Sequence, residues 1–114
     1  VRALAVRVLN GNGYHVLAAR HGAEAIVASE RHDGPIHLML TDLVMPHMSG
    51  PELAGSLTTS RPEMKILFMS GYTQEAMVHR GVLEPGRAFL PKPFAPAALS
   101  RRVREILDDA ASRF

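Results

Sequence analysis

The sequence predicts an α/β fold in which a parallel sheet carries helices on both faces. Short apolar runs at residues 36–41, 65–69 and 87–90 alternate with segments of helical periodicity. Each run ends abruptly at polar or turn residues, which is typical of strands buried on both faces of a parallel sheet. Regular alternation of strands and helices therefore favours a doubly wound sheet within a single domain.

Four strands are predicted in all, each from a short apolar run bounded by turn residues. They cover residues 14–18, 36–41, 65–69 and 87–90. The first, Tyr14 to Ala18, follows the glycines Gly11 and Gly13, which end an amphipathic helix at the start of the chain. Further helices are predicted at residues 22–32, 49–60 and 96–111, together with a short one capped by Thr73.

Composition and charge exclude several classes of protein. The chain has 114 residues, a net charge of +2 and no cysteine. It contains no basic run with interleaved aromatic residues, so it is not expected to bind nucleic acid. The absence of cysteine excludes disulfides and fits a reducing compartment, and no apolar run is long enough to span a membrane. We therefore expect a cytoplasmic domain without membrane contact.

Polar side chains lie just beyond the last three predicted strands. Asp42, Ser70 and Lys92 follow these strands in order. Because the carboxyl ends of parallel strands lie along one edge, where ligands bind in α/β sheets, an acid, a hydroxyl and an ammonium are expected to share a site. Taken alone, Asp42 and Ser70 would be interpreted as turn or cap residues and Lys92 as a solvated lysine. The occurrence of all three side chains at one sheet edge favours a functional site.

Residues 40–50, 68–72 and 89–94 together resemble the receiver domain of bacterial two-component response regulators. The resemblance extends over the whole chain, and around Ser70 and Lys92 it is strongest to receivers attached to hybrid sensor kinases. It implies a flavodoxin-like sheet with strand order 2-1-3-4-5. Since Val1 already lies in the first helix of that fold, the first strand is absent from the given sequence. We expect residues 1–114 to be a receiver domain that is incomplete at its N-terminus.

The resemblance also implies a role for each site residue. Asp42 is expected to be the phosphoacceptor, to which a histidine kinase or phosphotransfer domain transfers a phosphoryl group. Lys92 is expected to neutralise phosphoryl charge. Ser70 is expected to donate a hydrogen bond to a phosphoryl oxygen, and Phe89 to change rotamer with it as a switch. Asp42 and the backbone carbonyl of Val44 are expected to bind Mg²⁺, which prefers oxygen ligands.

Two other functions stay open beside this hypothesis. In the family an acidic pair at the end of the first strand completes the Mg²⁺ site, and the given sequence lacks it. The alternative is therefore a pseudo-receiver, an interaction module that is never phosphorylated. An aspartate-dependent phosphohydrolase would carry a second acid two residues after Asp42, where this chain has Val44. An output domain in the same chain and a homodimer also stay open.

Other polar residues predict no additional site. The six histidines occupy positions 15, 21, 32, 37, 47 and 79, without the spacing of metal ligands and in different predicted elements. Val44 and Tyr72 lie two residues beyond Asp42 and Ser70, and neither side chain can activate or orient a hydrolytic water well. Slow self-dephosphorylation is therefore expected.

Overall fold

The computed structural model describes residues 2–109, in which two helices come first and strands and helices then alternate as predicted. The elements in chain order are α1 (Arg2–Gly11), α2 (Gly22–Arg31), β1 (Leu38–Asp42), α3 (Gly50–Ser60), β2 (Lys65–Ser70), α4 (Gln74–His79), β3 (Phe89–Pro91) and α5 (Pro96–Asp108). The predicted end of the last helix at Ala111 lies outside the described residues. None of the helices in residues 2–109 combines the length and the apolar character needed to cross a bilayer.

The strands form one parallel sheet with β2 in the middle, in the order β1-β2-β3. The register aligns the carboxyl ends of the strands, since Asp42 lies opposite Met69 and Ser70 lies opposite Pro91. This consecutive order agrees with the last three strands of the predicted 2-1-3-4-5 sheet. The rest of that order stays a prediction.

The strand predicted from Tyr14 to Ala18 is wrong, because residues 14–18 form no strand in the structure. A strand needs a neighbour with which to exchange ladder hydrogen bonds, and none of the described strands pairs with this segment. The backbone N–H of Tyr14 instead donates to the carbonyl of Leu9 in α1, at 3.1 Å. The side chains of Tyr14 and Val16 pack against the core, so their alternation reflects burial without sheet pairing.

Helices cover both faces of the sheet, as predicted. Because side chains alternate along a strand, β2 contributes Leu67 and Met69 to one core and Phe68 to another. The core on the side of α1 and α5 consists of Ala5, Leu9, Leu67, Met69, Leu90, Leu99 and Val103. The core on the side of α3 and α4 consists of Leu43, Ala54, Phe68, Met77, Leu83 and Phe89. The sheet is therefore fixed from both sides, which holds its carboxyl edge in place.

Candidate functional site

The predicted acid, hydroxyl and ammonium of the site all lie at the carboxyl edge of the sheet. Asp42 ends β1, Ser70 ends β2, and Lys92 follows the last residue of β3. The Nζ atom of Lys92 lies 2.6 Å from Oδ1 of Asp42, which is a charge-assisted hydrogen bond between residues 50 positions apart. The parallel sheet therefore brings the acid and the ammonium into direct contact.

This ion pair is only partly removed from solvent. The side chain of Asp42 is 37% exposed and that of Lys92 is 26% exposed. No donor among residues 2–109 reaches Oδ2 of Asp42. A partly solvated ion pair contributes little to the stability of the fold. The contact is therefore more important for the way in which it orients the Asp42 carboxylate toward a ligand. One carboxylate oxygen is oriented by an ammonium while the other is open to an incoming ligand.

Ser70 is buried beside this pair, at 6% exposure. Its Oγ accepts a hydrogen bond from the backbone N–H of Tyr72 at 3.0 Å, and its carbonyl accepts one from the backbone N–H of Lys92 at 2.8 Å. These bonds tie the loop after β2 to the turn after β3. Within the described part of the chain the Ser70 hydroxyl has no acceptor, so its proton is available to a ligand.

A close backbone approach holds the loop that follows Asp42. The N–H of Gly50 donates to the carbonyl of Leu43 at 2.9 Å, and a Cβ on Gly50 would lie 2.2 Å from the carbonyl oxygen of Asp42. The next helix begins with a capping box, in which the side chains of Ser49 and Glu52 each accept the other's backbone N–H. The sequence predicts Gly50 as a turn residue and a helix start, whereas its contact with Asp42 depends on the folded loop.

The predicted switch residue Phe89 is buried, at 8% exposure, in the core that includes Met77 of α4. Val44 and Tyr72 are instead 64% and 60% exposed. The guanidinium of Arg80 lies 6.0 Å from the centre of the Tyr72 ring. The loops after β1 and β2 therefore expose large apolar groups next to the polar site. A change of the Phe89 rotamer stays a prediction.

Two of the predicted Mg²⁺ ligands lie among the described residues. The predicted ligands are the carboxylate of Asp42 and the carbonyl of Val44, both oxygen donors of the type that Mg²⁺ prefers. Among residues 2–109, no group of three or more His, Asp or Glu side chains could hold a metal ion. Because Mg²⁺ takes six oxygen ligands, water and phosphoryl oxygens would have to supplement these two donors.

Known proteins with similar sequences have receiver domains. The family described as "Response regulator receiver domain" matches residues 1–104. The sensor kinase CckA of Brucella abortus is 37% identical over 108 residues, which are 95% of this chain but only 11% of the kinase. The response regulator receiver protein CpdR of Brucella abortus is 34% identical over 107 residues, or 94% of this chain and 88% of CpdR. The chain thus spans about a tenth of CckA and most of CpdR.

Solved structures extend this similarity to the fold. The receiver domain of the hybrid histidine kinase CckA superimposes with a TM-score of 0.78 at 35% identity, covering 95% of this chain and 90% of that domain. A response regulator receiver protein from Sinorhizobium medicae has a TM-score of 0.77 at 26% identity, with 95% and 86% coverage. Both similarities include the parallel sheet and the helices around it.

Proposed function

Because this chain belongs to the response regulator receiver domain family of two-component phosphorelays, we propose that Asp42 is its phosphoacceptor. The proposed donor is a phosphohistidine on a histidine kinase or a phosphotransfer domain. A carboxylate oxygen of Asp42 attacks phosphorus and forms an acyl phosphate. The bond from phosphorus to the histidine nitrogen breaks, and the imidazole leaves with its electron pair.

The contact between Lys92 and Asp42 is the observation that carries this proposal. At 2.6 Å from Oδ1, the ammonium is close to where a phosphoryl group would add negative charge. A preorganised positive charge at such a position lowers the barrier to transfer. Because Lys92 is a point charge on a flexible stem, it would follow the phosphoryl oxygens after transfer. The free hydroxyl proton of Ser70 supports the same proposal.

Mg²⁺ is proposed as the metal of this site, since the receiver family generally binds it there. Asp42 and the Val44 carbonyl would hold it, and the bound ion would supply positive charge to the phosphoryl oxygens. Among residues 2–109 no cluster of three or more His, Asp or Glu side chains completes such a site. Asp42, Ser70 and Lys92 are therefore the side chains that we assign to the transfer.

The proposed output is a shift between two conformations of one domain, residues 1–114. New contacts from Ser70 and Lys92 to the phosphoryl group would favour one of them. Receiver domains are signalling domains rather than classical enzymes, and a kinase or phosphotransfer domain is the proposed partner. An output domain in the same protein and a second copy of the chain are further proposed partners. The cysteine-free composition supports the cytoplasm as the proposed location.

The intact mass of the native protein after incubation with acetyl phosphate and Mg²⁺ tests this proposal. We expect the mass of one phosphoryl group to be added, and to be absent in an Asp42→Asn variant. A folded protein that gains no mass would instead be a pseudo-receiver. Release of many phosphates per chain would indicate a phosphohydrolase. Transfer from a phosphorylated histidine kinase would then identify the physiological class of donor.

A further inference from the structure

Two histidines from separate segments are in ring contact. His15 lies in the segment 14–18 between α1 and α2, and His32 is the C-cap residue of α2. Their ring centroids are 5.8 Å apart and their planes meet at 81°. Because His32 precedes the amino end of β1 whereas Asp42 lies at its carboxyl end, this pair is separate from the proposed phosphorylation site.

The spacing of the two ring centroids is close to that of two imidazoles on one metal ion. A Zn–N bond of about 2.0–2.1 Å and a tetrahedral angle separate two ligating ring centroids by roughly 5 Å. His15 is exposed, so a small side-chain rotation would reduce the observed 5.8 Å to this distance. Neither imidazole makes a hydrogen bond with any other residue in the range 2–109. A nitrogen lone pair of each neutral ring is therefore available.

We propose that His15 and His32 bind a transition-metal ion of the kind that imidazole favours, such as Zn²⁺. Residues 2–109 contain no third His, Asp or Glu side chain grouped with this pair, so water completes the coordination and the ion exchanges readily. The backbone of His32 is already held, because Nη2 of Arg61 donates to its carbonyl at 2.9 Å. The metal would thus join segment 14–18, which has no strand partner, to a fixed point on α2. This site does not depend on phosphorylation of Asp42.

Calorimetric titration of the native protein with Zn²⁺ tests the site. We expect one Zn²⁺ to bind per chain, and binding to weaken by about tenfold or more in His15→Phe and in His32→Phe, since even indirect partners of metal ligands contribute that much. Phenylalanine retains an edge-to-face aromatic contact but offers no nitrogen. Metal ligation is therefore separated from ring packing, and circular dichroism checks that each variant folds.

Two control variants locate the binding. His79→Phe removes an exposed histidine at the end of α4, and Asp42→Asn removes the carboxylate of the phosphorylation site. Both should bind Zn²⁺ as tightly as the native protein. The proposal is overturned if the native protein binds no Zn²⁺, if the His15 and His32 variants retain full affinity, or if Asp42→Asn abolishes binding.

Discussion

Among the described glycines, Gly50 makes the closest approach to another backbone segment, at Asp42. In Gly50→Ala the new Cβ would meet the carbonyl oxygen of Asp42 at 2.2 Å and its carbonyl carbon at 3.1 Å. Both are backbone atoms, so no side-chain rotation relieves the overlap. We expect the free energy of unfolding to fall by about 3 kcal/mol, as measured by urea denaturation.

A second glycine of α3 provides the matched control. A Cβ on Gly55 would meet no atom within 4 Å, and alanine is the better helix former. Gly55→Ala should therefore raise the free energy of unfolding by about 0.5–1 kcal/mol. Similar losses in the two variants would mean that helix α3, rather than the approach of Gly50 to Asp42, is sensitive to substitution.

If Asp42 is phosphorylated as proposed, we expect the exposed side chains of Val44 and Tyr72 to influence the lifetime of its acyl phosphate. The Val44 side chain is apolar and the Tyr72 phenol is a poor general base, so neither activates water well and we expect slow hydrolysis. Val44→Asn and Tyr72→Glu should each accelerate the loss of phosphoryl mass by up to about tenfold, because a newly added polar group is only partly preorganised. Leu17→Asn, at another exposed apolar position (42% exposed), is the control. Unchanged or slower decay in both site variants would contradict the expectation.

At the scale of elements, Arg61 connects the ends of two helices. It is the C-cap residue of α3, and its guanidinium donates to Oγ of Ser29 at 2.8 Å and to the carbonyls of Gly34, Ser29 and His32 at 2.8, 2.9 and 2.9 Å. Carbonyls at a helix C-terminus lack partners within the helix. One side chain therefore satisfies the end of α2 and joins it to α3.

Replacing Arg61 by lysine should separate these helix ends. Lysine keeps the charge but lacks the planar fork of donors, so it cannot serve Oγ of Ser29 and the carbonyls of Gly34 and His32 together. We expect Arg61→Lys to lower the free energy of unfolding by about 2–3 kcal/mol. The same change at Arg101, which is exposed on α5, should alter it by less than about 0.5 kcal/mol. Equal effects at both positions would show that the four bonds contribute no specific stability.

The first turn of α2 makes stability depend on pH through Glu24. Its carboxylate accepts hydrogen bonds from the backbone N–H of Arg20 at 2.9 Å and from Nε of Arg20 at 3.1 Å. The backbone bond first, and then the side-chain bond, lower the pKa of Glu24 below its usual range. A lowered pKa in the folded state means that the stabilisation is complete above the unfolded-state pKa and is lost as the pH falls through the folded-state value.

Glu24→Gln should therefore be less stable than the native protein at neutral pH, and the difference should disappear under acid conditions. Urea denaturation of both proteins from about pH 6 to pH 3 measures it, since carboxyl groups of this type titrate in that range. Glu105→Gln, at an exposed position on α5, is the control. A difference between Glu24→Gln and the native protein that stays constant with pH would exclude the Arg20 hydrogen bonds as its source.

At the scale of the whole molecule, the site edge could be predicted because local signals mark each strand end. Apolar runs followed by turn residues indicate where the strands stop, and a parallel arrangement places Asp42, Ser70 and Lys92 at one edge. Their order along the chain is sufficient for this step. The 2.6 Å contact between Lys92 and Asp42 also depends on the register of three strands. That register cannot be predicted from the sequence of each strand by itself.

The features that could not be predicted all depend on distant neighbours. Residues 14–18 have the apolar pattern of a strand, but pairing needs an adjacent strand, and the described sheet has none there. The contact between His15 and His32 joins segments whose spacing is unlike any ligand motif. The constraint on Gly50 arises where a helix start meets the end of a strand. In each case the local sequence is compatible with several environments.

A physical path connects the site edge to α4. Phe89 of β3 lies in one core with Met77 of α4 and with Leu83 just beyond it. The same helix begins at the N-cap residue Thr73, and Ser70 holds the loop before it through the N–H of Tyr72. If Ser70 reorients toward a phosphoryl oxygen, the hydrogen bond to Tyr72 is lost and the loop before α4 must adjust. The predicted rotamer change of Phe89 would alter the packing against Met77 of the same helix.

Hydrogen exchange should therefore report phosphorylation most strongly at α4. We expect the exchange rates of amides in residues 72–83 to change by about threefold or more on phosphorylation, because a short helix at the surface opens at low cost. Amides of α2, which packs against α3 away from this path, should change little.

Ser70→Ala should still accept a phosphoryl group on Asp42 but lose the response of α4, because no hydroxyl then links the phosphoryl group to the loop. Mass spectrometry of peptides before and after phosphorylation makes the comparison, and a uniform change over α2 and α4 would show that Ser70 and Phe89 do not direct the signal.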